Sequence, residues 1–173
     1  MPILEMRLEA TTRGNVVWPV PAALLPALPE TLDCRGLRLE RKSEFHLTVL
    51  GHDDARRLFA GEAARFARWL EAWRRLDARV EWHDELWLLR LPIGHERIAH
   101  SLAVACAAPA LAAARHLLSA WTGVDLPAAP AHITLFTAGD PRGIAVADDA
   151  ALRERRIETG TWRSFGLGAP QRA

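Results

Sequence analysis

A chain of 173 residues, 50% hydrophobic and 25% charged, carries enough apolar material for one substantial core, which excludes a disordered or fibrous chain and makes a single domain over residues 1–173 the expectation. A formal net charge of +1 excludes a strong nonspecific pull on long duplex nucleic acid. Cys34 and Cys106, the two cysteines, form no Cys-x-x-Cys pattern, which excludes a disulfide framework and a structural zinc site and favours a reducing, cytoplasmic setting.

Residues Met1 to Arg7 carry an acid and a base early, without the long apolar run of a secretory signal. The longest apolar stretch, Leu102 to Ala114, contains Pro109 and falls short of the roughly 20 residues of a membrane span. No membrane partner is expected.

In chain order, strands are predicted at Ile3 to Ala10 and Asn15 to Val20, followed by a connection punctuated by Pro19, Pro21, Pro26 and Pro29. Leu37-Arg38-Leu39-Glu40 alternates as a strand, and the polar turn Arg41-Lys42-Ser43 predicts a hairpin with the run Phe45 to Leu50. Gly51 ends that run, and Asp53 or Asp54 caps a predicted helix reaching about Leu76, with Phe59, Phe66, Trp69, Leu70 and Trp73 on its core face. Strands at Arg79 to His83 and Glu85 to Leu91 flank a turn at His83-Asp84 and open a second sheet. Residues 97 to 106 alternate enough to favour strand over helix. A helix from Ala110 to Trp121 closes at Gly123, and the proline-containing link Leu126 to Pro130 leads to another strand-like run, Ala131 to Phe136. A short helix at Asp148 to Arg156 and a strand at Trp162 to Leu167 complete the chain.

Two of the predicted strands read almost alike. Phe45-His46-Leu47-Thr48-Val49-Leu50 and Ala131-His132-Ile133-Thr134-Leu135-Phe136 each set a histidine two residues before a threonine, about half the chain apart. Side chains alternate faces along a strand, so His46 and Thr48 share one side while Leu47 and Val49 take the other, and His132 and Thr134 stand likewise against Ile133 and Leu135. With seven histidines and nine threonines, random order gives about a third of one His-x-Thr, so two in matching apolar contexts carry information. Imidazole exchanges protons near neutrality, so two of them facing one cleft divide the work of general base and general acid. A stiff β-branched hydroxyl two residues on donates to an oxygen of the reacting group. A phosphodiester matches this set, having a phosphorus to attack, an alkoxide to expel and non-bridging oxygens that need donors.

At these motifs, His46-Leu47-Thr48 and His132-Ile133-Thr134, the chain resembles the two-histidine (2H) phosphoesterases, of the 2′,3′-cyclic phosphodiesterase-like kind, whose signature is a repeated His-x-Thr or His-x-Ser with an apolar middle residue. The segment Gly139-Asp140-Pro141-Arg142-Gly143-Ile144-Ala145-Val146 is similar to the stretch after the second motif in a bacterial, RNA-repair-like branch. The resemblance implies an α+β bilobal fold, with two antiparallel sheets facing a central cleft and helices outside. It also implies metal-free, cofactor-free hydrolysis of a 2′,3′-cyclic or related phosphodiester on an RNA end or nucleotide. His46 and His132 are then acid and base, and Thr48 and Thr134 the phosphate donors.

Lys42 before the first motif and Arg142 after the second are candidate phosphate contacts, and Trp18 is a candidate base-stacking residue, although solvated turn cations and a core tryptophan are the commoner roles. His52, Asp53 and Asp54 lie close to His46 and leave open a metal-dependent hydrolase, while a helix start accounts for the acids more economically. A non-catalytic binder of nucleotides or RNA ends is the third reading.

Overall fold

The computed structural model describes residues 9, 10, 14–60, 62–73 and 80–169. Nine strands run in order as β1 (Glu9–Ala10), β2 (Val16–Val20), β3 (Thr31–Cys34), β4 (Leu37–Arg41), β5 (Phe45–Leu50), β6 (Glu81–Ile93), β7 (Arg97–Ala107), β8 (His132–Ala138) and β9 (Arg156–Gly160). Four helices intervene: α1 (His52–Phe59) and α2 (Ala63–Trp73) after β5, α3 (Pro109–Thr122) after β7, and α4 (Asp149–Arg155) before β9. The fold is α+β with two antiparallel sheets, one of order β1-β2-β5 and one of order β3-β4-β8-β7-β6-β9. Among the described residues no helix is long and apolar enough to cross a membrane.

One apolar cluster draws on both sheets. Val16, Trp18, Leu47 and Val49 from the smaller sheet pack with Leu39, Leu86, Leu88, Leu102, Val104, Ile133, Leu135 and Phe136 from the larger. A second cluster, with Trp87, Leu89, Ala99, Ala103 and Ala105 from the opposite face of the larger sheet, is covered by Ile144, Val146 and Leu152. The six-stranded sheet is strongly curled. Five spacings of about 4.8 Å would hold its edges roughly 24 Å apart if it were flat, yet Arg35 in the β3–β4 turn reaches Glu158 on β9 at 2.6 Å.

The turn at Arg41-Lys42-Ser43 does not make a hairpin. The strand β4 pairs with β3 and β8, whereas β5 pairs with β2, so the chain leaves one sheet and enters the other between residues 41 and 45. Pairing of β4 with β8 covers only Glu40 opposite Thr137 and Arg41 opposite Phe136, extended by Lys42 N–H to Leu135 C=O at 2.9 Å. The first residues of β8 therefore have no β4 partner, and β5 lies against β8 instead.

Other departures have local causes. The helix predicted from Asp53 onward is two helices, broken at Ala60, whose ψ of 116° leaves the helical region. Gly51 is its N-cap, and Asp53 and Asp54 lie within its first turn. Residues 74–79 fall outside the described set, as do all but Glu9 and Ala10 of the first predicted strand. The aromatic face holds: Phe59, Phe66, Trp69 and Trp73 pack ring to ring at 4.9–6.2 Å. The predicted turn at His83-Asp84 is a bulge within the single strand β6, where the register against β7 slips between Trp82 and Leu86. The His83 carbonyl at this bulge accepts from the Trp162 indole N–H at 3.3 Å. Trp162 to Leu167 is not a strand, because Thr161 and Ser164 bond each other's backbone N–H and wind Arg163–Phe165 into a 3-10 turn. The last strand lies earlier, at β9. Residues 97 to 106 are strand, and α3 closes at Gly123, whose φ of 70° supplies the left-handed cap.

Candidate active site

Both motifs are strands with buried backs and half-buried polar pairs. On β5, Phe45, Leu47 and Val49 are buried while His46 and Thr48 keep partial exposure. On β8, Ile133 and Leu135 are buried while His132 and Thr134 keep partial exposure. The apolar residues of both strands enter the shared core, so period-two alternation turns both polar pairs away from it. Because β5 lies against β8, the two pairs become neighbours, close enough for the charge of His132 to bear on His46.

Each motif strand carries the same irregularity. Against β2, the register passes from Val17 opposite Thr48 to Val16 opposite Leu50, leaving Val49 as an extra residue. Against β7, it passes from Ala103 opposite Thr134 to Leu102 opposite Phe136, leaving Leu135 as an extra residue. A one-residue bulge thus follows each motif threonine directly, and it lets the apolar residues on either side of the bulge, Val49 with Leu50 and Leu135 with Phe136, all be buried.

The electrostatics favour neutral imidazoles. His132 is held below its ordinary value near 6.5 by burial, opposed by its hydrogen bond to Pro130. That bond, Nδ1 to the Pro130 carbonyl at 2.8 Å, fixes the tautomer: a carbonyl only accepts, so Nδ1 bears the proton and Nε2 presents a lone pair. His46 is lowered by burial first, then by the Lys42 ammonium, with Glu44 pulling the other way and His132 adding a further downward push. Neither motif threonine hydroxyl, nor the His46 ring, has a hydrogen-bond partner among the described residues.

Of the remaining predicted site residues, Lys42 stands at the cleft, its Nζ donating to the Pro141 carbonyl at 2.7 Å. Arg142 follows in the same loop, its guanidinium gripping Asp140 at 2.5–3.0 Å while its side chain stays 65% exposed. The loop turns back onto the second motif at Gly143, and Ile144 N–H bonds the buried Ser101 hydroxyl at 3.0 Å. Trp18 is a correction. It is fully buried in the shared core, because its strand position faces the same way as Val16 and Val20, and no ring face is left for a base. Asp54 is engaged by Arg115 at 3.2 Å, and among the described residues no three His, Cys, Asp or Glu side chains gather closely enough to hold a metal ion.

Several neighbours of the site lie outside the two motifs. Trp87 on β6 packs its ring 6.1 Å from that of His132, its indole N–H bonded to Glu85. Arg115 on α3 is buried and bonds the Val49 carbonyl at 3.0 Å. Its signal was legible: Leu111, Ala114 and Leu118 form the buried face of α3, and position 115 falls on that face. With this geometry established, comparison with known proteins finds no protein family, curated relative or solved structure that matches the chain.

Proposed function

We propose that this protein hydrolyses 2′,3′-cyclic or related phosphodiesters on RNA ends or nucleotides, using the two imidazoles as its proton-transfer groups. One observation carries the reading: two His-x-Thr strands distant in sequence lie side by side with their polar pairs turned away from the common core. The motif resemblance to the 2H phosphoesterases, with their bilobal cleft, supports it.

In this mechanism neutral His132 takes a proton from water through Nε2, its other nitrogen being tied to Pro130. Protonated His46 gives a proton to the departing ribose oxygen, and Glu44 is the neighbour that favours its charged form. Thr48 and Thr134 donate to non-bridging oxygens as charge grows on them. Lys42, from the connection before the first motif, and Arg142, from the loop after the second, line the anionic end of the substrate.

The test is a screen of cyclic nucleotides and cyclic-phosphate oligonucleotides with wild type, His46→Ala and His132→Ala, each with and without chelator. Wild-type turnover, with each variant down by about a hundred- to ten-thousand-fold, supports the proposal. Variants that cut as fast as wild type refute the site assignment, activity abolished by the chelator refutes the metal-free mechanism, and binding without turnover makes the protein a binder.

A further inference from the structure

Arg115 is the only buried arginine among the described residues, and its guanidinium is divided among three segments. Its Nη1 donates to the Val49 carbonyl at 3.0 Å, its Nε to the Pro127 carbonyl at 3.0 Å, and its Nη2 to Asp54 Oδ2 at 3.2 Å. Val49 is the bulge residue directly after Thr48. Pro127 lies in the link whose Pro130 carbonyl holds His132 Nδ1. Asp54 belongs to the first turn of α1, the helix that follows the first motif strand.

We propose that Arg115 is a positioning residue for both motifs, pinning the bulge that aims Thr48 and the connection that delivers His132 to one rigid point on α3. A planar fork of five donors reaches three acceptors at once, which a point-charge ammonium does not. A buried backbone carbonyl at a bulge has lost its ladder partner, so the donor that replaces it decides where the bulge sits. The second motif's bulge is held from the strand side instead, its Leu135 carbonyl accepting from Lys42 N–H at 2.9 Å where the β4 pairing extends. The proposal rests on the hydrolytic reading for its kinetic readout, whereas a spectroscopic readout of the imidazoles stands without it.

Arg115→Lys keeps the charge and loses the fork. Expected are at least a tenfold fall in kcat on a 2′,3′-cyclic nucleotide, KM within twofold of wild type, and shifted ring resonances for both His46 and His132 by NMR, although Arg115 touches neither ring. Unchanged ring resonances overturn the proposal, whatever kcat does, because a stabilising role alone leaves the rings where they were. If the lysine variant fails to fold, Asp54→Ala releases one leg of the clamp from the half-exposed side, and displacement of both rings supports the proposal while wild-type spectra overturn it. If wild type hydrolyses nothing, the hydrolytic reading falls, and the ring resonances still decide the role of Arg115.

Discussion

Replacing Gly143 with alanine separates backbone strain from displacement of a motif hydroxyl. Gly143 has φ of +85°, and a Cβ there would stand 3.1 Å from Thr134 Cγ2, 3.3 Å from its Oγ1 and 3.6 Å from Ser101 Oγ. Gly36, in the β3–β4 turn, has φ of +77° and would meet nothing within 4 Å. Left-handed backbone costs a residue with a Cβ about 1–2 kcal/mol at either position. At roughly 2–4 °C per kcal/mol for a chain of this size, both variants should melt about 2–8 °C below wild type. Only Gly143→Ala also pushes on Thr134, which must yield by a few tenths of an ångström. Removing an oxyanion donor outright costs on the order of a hundred- to a thousandfold in kcat, so a displaced one should cost about tenfold. Differential scanning fluorimetry beside cyclic nucleotide hydrolysis measures both effects. Equal kcat for the two variants would refute the claim that the Gly143 turn sets the position of Thr134.

Three further outcomes are expected. Because burial lowers both His46 and His132 from about 6.5 in the free protein, and turnover needs one neutral and one protonated ring, kcat/KM should follow a bell whose maximum lies below pH 6.5; a maximum above pH 7.5 contradicts the assignment. The same shifts make the unfolded chain the tighter proton binder, so stability contributed by the neutral rings is complete above about pH 6.5 and is lost as pH falls through the folded values; urea midpoints at pH 7.5 and pH 5 should differ in that direction, and less so in His132→Ala. Cys34 and Cys106 are both buried, and burial pushes the Cys106 thiol up to about 12. Ellman's reagent at pH 8 should therefore find both thiols unreactive in the native protein and both reactive in urea, with rapid native labelling counting against the core as described.

The alternating runs were legible because a strand with one buried face writes its period directly into the sequence. Phe45 to Leu50 and Ala131 to Phe136 carried that period, and the structure has strands there with the expected faces inward. The exchange between sheets at residues 41–45 was not legible, since a polar tripeptide between two strands has the same composition whether the chain folds back or crosses over. The bulges after Thr48 and Thr134 were equally silent: Val49-Leu50 and Leu135-Phe136 read as continuous apolar sequence, and only partner strands reveal the extra residue. Of the two roles open to Trp18, the core one is decided by which face of β2 is covered, which indole composition alone does not say. The helix break at Ala60 precedes Gly61, whose placement in the sequence was a readable warning.

The ion pair that draws Arg35 to Glu158 bears on how this protein meets others of its kind. A six-stranded sheet ordinarily ends in two unsatisfied flanks, each a template on which a foreign strand can grow. Here the flanking strands are only four and five residues long, and curvature brings one up to the other with opposite charges between them. An intruding strand would meet, at that end of the larger sheet, a short curved flank with opposite charges beside it instead of a long flat one, the features by which sheet edges discourage strand addition.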